Sequence, residues 1–138
     1  MKVFLDANYI IYLKYSESDE VFEYCINLLK KLEKFEAITN IVVINEVVWI
    51  LRKKYGIESE EIFDFLDRFL NFVEFVPLEA EDYELMRDFI LRYSLKPSDA
   101  LHVSSMKRSG AKLIVSEDPD FDRVEWIKRE WVNRKEVL

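Results

Sequence analysis

Four short runs of apolar and β-branched residues recur along the chain: Val3-Phe4-Leu5, Ala37-Ile38-Thr39, Val73-Glu74-Phe75-Val76 and Lys112-Leu113-Ile114-Val115. The first is continuously apolar, without the alternation of a half-exposed strand, and so fits a strand covered on both faces. Between the runs, apolar residues recur at helical spacing. Val21, Phe22, Cys25, Ile26, Leu29 and Leu32 mark a helix over Val21–Phe35. Further helices are expected over Ile41–Tyr55, stopped by Gly56, and over Ser59–Phe72, with Ser59 as N-cap. Two more should cover Ala80–Arg92 and the stretch from Lys96-Pro97-Ser98 to Arg108, which Gly110 ends. Alternating strands and helices predict one α/β domain over residues 1–138 with a central parallel sheet. The tail, Val124–Leu138, reads equally as a weak strand or a charged helix.

Half of the 138 residues are apolar, enough for a core, and two glycines with three prolines exclude collagen-like or linker-like character. A single cysteine, Cys25, excludes a disulfide framework and any multi-cysteine zinc site. A reducing, cytoplasmic location is therefore expected. The opening MKVFLDANYII carries Asp6 too early for a signal peptide, and no apolar stretch approaches the roughly 18 residues of a membrane span. Glutamine is absent and threonine occurs once, a bias shared with proteins from hot environments. With 27 acidic and 20 basic residues the net charge is −7. That argues against a nonspecific nucleic-acid coat. It leaves room for an enzyme that reaches phosphates through bound cations.

Four carboxylates stand where a core would not require them. Asp6 follows the first strand and Asp118 the last clear one, at the edge where parallel sheets bind ligands. Asp99 lies in a first helical turn, and Glu46 sits inside the apolar run Ile41–Leu51. Each also has a structural role open to it. Asp6 could cap a helix starting near Asn8, Asp99 could favour the helix dipole beside a capping Ser98, and Asp118 could be a turn residue before Pro119. Glu46 could belong to a buried ion pair. Together they fit another expectation. Two carboxylates 4 Å apart repel by about 4 kcal/mol at an effective dielectric near 20. A fold that converges four of them needs cations, and hard oxygen donors suit Mg²⁺ or Mn²⁺. Such ions support phosphodiester hydrolysis.

The motifs Asp6-Ala7-Asn8, Asn45-Glu46, Pro97-Ser98-Asp99-Ala100-Leu101 and Ile114-Val115-Ser116-Glu117-Asp118-Pro119-Asp120-Phe121 come in an order that resembles the PIN-domain family. The likeness is greatest to its small VapC-type toxin ribonucleases and spans Lys2 to about Asp122. The resemblance implies a three-layer α/β/α sandwich around a parallel sheet. It implies RNA cleavage with Mg²⁺ or Mn²⁺ held by Asp6, Glu46, Asp99 and Asp118. It also implies support from Asn8 and Ser116, with Asp120 holding a metal-bound water. A cognate antitoxin and a homodimer are implied partners, with RNA as substrate.

Other residues carry weaker signals. His102, the only histidine, fits a packed helix position better than a catalytic one. Cys25 belongs to an apolar stripe. The run of Phe63, Phe65, Phe69, Phe72 and Phe75 should be mostly core, with an oligomer interface as the second reading. Tyr9, Tyr12 and Tyr15 could form an amphipathic face or meet a partner. Lys107, Arg108 and Lys112 are candidate phosphate contacts. Three alternatives to a toxin nuclease are an RNA-processing PIN nuclease without an antitoxin, a non-catalytic PIN-like binding module, and an aspartyl phosphatase. The last would need an acid where Asn8 stands.

Overall fold

The computed structural model of the chain describes residues 1–133. Its centre is the first strand, β1 (Lys2–Leu5), whose Val3, Phe4 and Leu5 are fully buried. Asp6 ends the strand and caps α1 (Ala7–Lys14). Helix α2 (Asp19–Lys31) follows. Ser18 caps it, acids fill its first turn and lysines its last, all favourable to the helix dipole. Strand β2 (Glu36–Thr39) leads into α3 (Ile41–Lys53), which the Asn40 side chain caps by accepting from the Val43 amide at 2.9 Å.

Helix α4 (Ser59–Phe69) precedes the two-residue strand β3 (Glu74–Phe75). Ser59 is the first helical residue there and Glu58 occupies the cap position, so the expected serine cap is not formed. Helices α5 (Asp82–Tyr93) and α6 (Pro97–Ser109) come next. Proline opens α6, and Gly110 closes it in the left-handed conformation at φ 81°. Lys96 holds the cap position of α6, so Ser98 is not its cap. Strand β4 (Leu113–Val115), a 3-10 turn over Pro119–Arg123 and β5 (Lys128–Glu130) follow and are the last elements among the described residues. The ambiguous tail thus supplies a fifth strand, and residues 134–138 lie outside the described residues.

All five strands are parallel, in the order β3-β2-β1-β4-β5. By the right-handed rule for crossovers between parallel strands, this order assigns α1 to α4 to one face and α5 with α6 to the other. The result is a three-layer α/β/α sandwich. The chain steps outward from β1 to β2 and β3, then returns to β4 on the other side of β1. The crevice at the ends of β1 and β4 is therefore the topological switch point, where this architecture binds ligands. Phe4, Ile38, Leu51, Ile62, Leu66, Met106 and Ile114 fill the layers around it. Each such buried side chain contributes roughly 1.5–3 kcal/mol.

Tyr9 is core, its hydroxyl donating to the Cys25 carbonyl at 3.1 Å, and Cys25 is buried beside it. Of the phenylalanine run, Phe69 is buried while Phe63, Phe72 and Phe75 are exposed. Among the described residues no helix is long and apolar enough to cross a membrane.

Candidate metal centre and active site

The switch point gathers acids from four separate elements. Asp6, at the end of β1, is buried; its Oδ1 accepts from the Ala7 amide at 2.8 Å. Its Oδ2 accepts from the Ser116 hydroxyl at 2.6 Å and from Asn8 Nδ2 at 3.3 Å. The capping role and a place in the cluster are thus both filled by one side chain. Asn8 also accepts from the Glu117 amide at 3.1 Å, and Ser116 Oγ accepts from the Asp118 amide at 3.1 Å. These bonds tie the segment after β4 to the segment after β1. Tyr12 adds a hydrogen bond to Glu117 at 2.6 Å.

Asp99 enters from the first turn of α6 and is 7% exposed. One of its carboxylate oxygens, Oδ2, is buried without a hydrogen-bond partner. Burial pushes the Asp99 pKa up to about 7, with Asp6, Asp118 and Glu46 adding to the rise and His102 opposing it. Burial likewise raises the pKa of Asp6, against the pull of His102, Ser116 and the Ala7 amide. Glu46 reaches in from α3, half-buried, and meets His102 Nε2 at 3.1 Å. Asp118 caps the 3-10 turn by accepting from the Asp120 amide at 2.9 Å. Asp120 is paired with Arg123 at 3.0 Å.

One ligand atom each from Asp6, Glu46 and His102 lie within 4.8 Å of one another, and so do single oxygens of Asp99, Asp118 and Asp120. Members of both groups line one pocket of about 190 Å³. Among the described residues no lysine or arginine pairs with Asp6, Glu46, Asp99 or Asp118. Carboxylates crowded in this way repel unless positive charge enters from outside. Oxygen donors of this kind, with an orphaned carboxylate oxygen among them, fit a hard divalent cation.

Several residues differ from the sequence expectations in an instructive way. Arg108 does not face the pocket. Its guanidinium holds Asp82 at 2.8 and 2.9 Å and donates to the Pro77 carbonyl. Lys107 lies over the Trp126 ring. The cation that lines the pocket is Lys96, at the start of α6, which the sequence reading passed over. His102 is a packed helix residue, fully buried with its ring 5.4 Å from that of Phe4, yet it also touches the acids. Asn40 was missed altogether, although an asparagine just before an apolar run is a recognisable cap signal.

A family model described as PIN domain matches residues 3–127. The chain is 28% identical over 141 residues to Ribonuclease VapC2 of Methanocaldococcus jannaschii, covering 92% of this chain and 91% of that one. Its fold is similar to a chain in the crystal structure of VapBC2 from Rickettsia felis bound to a promoter DNA fragment. There the TM-score is 0.74 at 19% identity, over 94% of this chain and 98% of that chain. The structure of VapC20 from Mycobacterium tuberculosis, a sarcin-ricin loop cleaving toxin, gives a TM-score of 0.69 at 17% identity. It covers 87% of this chain and 92% of that one.

Proposed function

The chain belongs to the PIN-domain family, and from that premise we propose that it is a metal-dependent endoribonuclease, the toxin of a VapBC-type toxin–antitoxin pair. The observation that carries the proposal is Asp99, a buried carboxylate with an unpartnered oxygen, set among Asp6, Glu46 and Asp118 with no lysine or arginine ion-paired to it among the described residues. The ribonuclease name of the Methanocaldococcus jannaschii relative supports the substrate class, and the similar fold of a toxin–antitoxin complex from Klebsiella pneumoniae, with a TM-score of 0.66 at 16% identity, supports the partner.

In this reading Asp6, Glu46, Asp99 and Asp118 would hold Mg²⁺ or Mn²⁺, with Asp120 as an outer carboxylate of the same site. When bound, the ion supplies a water of lowered pKa and stabilises charge on the phosphoryl oxygens. The protein's own groups do the rest. Ser116 and Asn8 fix the Asp6 carboxylate so that its oxygens do not have to reorganise. Lys96, at the rim, offers a cation to an RNA phosphate. The small protein-borne positive charge around the site implies weak binding of RNA. Cleavage of RNA in Mg²⁺ or Mn²⁺, its loss in excess EDTA and its loss in Asp99→Asn are the expected results. Equal cleavage by that variant, or cleavage undiminished by EDTA, would refute the proposal.

A further inference from the structure

His102 lies on α6, one turn after Asp99, and its ring is fully buried beneath the acid pocket. Two roles are open to a histidine there: ligand to the cation, or donor to a carboxylate that is itself the ligand. Which nitrogen carries the proton separates them. Asn40 decides it. Its Oδ1 accepts from the Val43 amide as the cap of α3, which fixes the orientation of the side-chain amide. The Asn40 NH₂ group therefore faces Ser105 Oγ at 2.9 Å and His102 Nδ1 at 3.3 Å. A donor at Asn40 needs a lone pair on Nδ1. A proton on Nδ1 would set two donors against each other in a buried site.

We propose that His102 is a positioning residue, an Nε2–H donor that orients Glu46 and does not ligate the cation. Nε2 is 3.1 Å from Glu46 Oε1 and 3.8 Å from Asp6 Oδ1, so the proton points at the carboxylates. The chain of hydrogen bonds starts at the cap of α3, crosses to α6 and returns to α3 at Glu46. It fixes the helix carrying Glu46 against the helix carrying Asp99. It also leaves the cation an all-oxygen donor set, which favours Mg²⁺ and Mn²⁺ over Zn²⁺. The inference rests on the reading of Glu46 as a cation-holding carboxylate, but its first test does not require activity.

Because His102 is the only histidine, ¹⁵N NMR of the labelled protein reads its ring without assignment work. The expected spectrum of the metal-free protein shows a protonated Nε2 and an unprotonated Nδ1, and Nε2 keeps its proton when Mg²⁺ is added. A proton on Nδ1, protons on both nitrogens, or coordination of Nε2 to the ion would overturn the proposal. This spectrum stays interpretable even if the chain cleaves no RNA. The second test compares His102→Phe with His102→Gln, whose amide can donate to Glu46. His102→Phe should lower Mg²⁺ affinity, read by calorimetry without RNA, by about 10–100-fold. His102→Gln should recover most of that loss. Equal losses in two folded variants would mean that the ring merely fills space.

Discussion

Asp82 and Asp99 are both buried acids in the first turn of a helix, on α5 and α6, and they have opposite surroundings. Both Asp82 oxygens are satisfied from within: Ser104 donates at 2.5 Å, Arg108 binds at 2.8 and 2.9 Å, and the Glu79 amide donates at 2.7 Å. Burial alone would raise its pKa, but the bonds from Arg108, Ser104 and the Glu79 amide outweigh burial and lower it. Asp99 has other carboxylates for neighbours and an oxygen without a donor, and its pKa is pushed up to about 7. The fold neutralises one acid itself and leaves the other without an ion-pair partner among the described lysines and arginines. Burial alone does not distinguish a structural carboxylate from a functional one; the source of the compensating charge does.

The largest effect is expected on the self-contained side. Arg108→Ala strands Asp82 and should destabilise the fold by about 3–5 kcal/mol in urea unfolding. A loss below 1 kcal/mol would mean that the pair is not the lock described here. Asp99→Asn should lower RNA cleavage by about 10²–10³-fold, the scale of a single charge-stabilising group. The same variant should melt higher than the parent in metal-free buffer at pH 8, because it removes a desolvated charge. Asp82→Asn should melt lower. If both asparagine variants shifted the melting temperature in the same direction, the contrast would fail.

Cation binding comes next in size. At a concentration 100 times Kd, Mg²⁺ should stabilise the parent by about 2.7 kcal/mol, and Asp99→Asn should abolish most of that gain. The two acids also divide the pH axis. Asp99 binds its proton more tightly folded than unfolded, so its stabilising contribution is complete below about pH 4 and is lost as the pH rises through about 7. Asp82 binds its proton less tightly when folded. Its contribution is present above the ordinary carboxylate range and is lost as the pH falls through its lowered value. Calorimetry of metal-free protein should show both losses, and Mg²⁺ should remove only the one near neutral pH. The smallest effect is expected for Asp120→Asn. It breaks a half-exposed pair with Arg123 worth less than about 1 kcal/mol, and it should slow cleavage less than Asp99→Asn.

What the sequence made legible follows from how local the physics is. An apolar run ending in an acid identifies β1 with Asp6 and β4 with the acids after it, because burial and the strand end are written within a few residues. Strand β5 was ambiguous because Lys128, Arg129 and Glu130 carry no apolar signal; pairing with β4 supplies what composition does not. Strand β3 is shorter than its apolar run, with only Glu74 and Phe75 paired to β2. Arg108 looked available for phosphate, and its partner proved to be 26 residues upstream. Asn40 and His102 are 62 residues apart. Their joint effect on Glu46 exists only once α3 and α6 are packed, so no local pattern announces it.

The most direct test of the unbalanced pocket is an anomalous difference map from crystals of this protein soaked in Mn²⁺. A peak among the carboxylates of Asp6, Glu46, Asp99 and Asp118, absent in Asp99→Asn, is the predicted result. Manganese bound elsewhere with that pocket empty, or the same peak in both proteins, would contradict it.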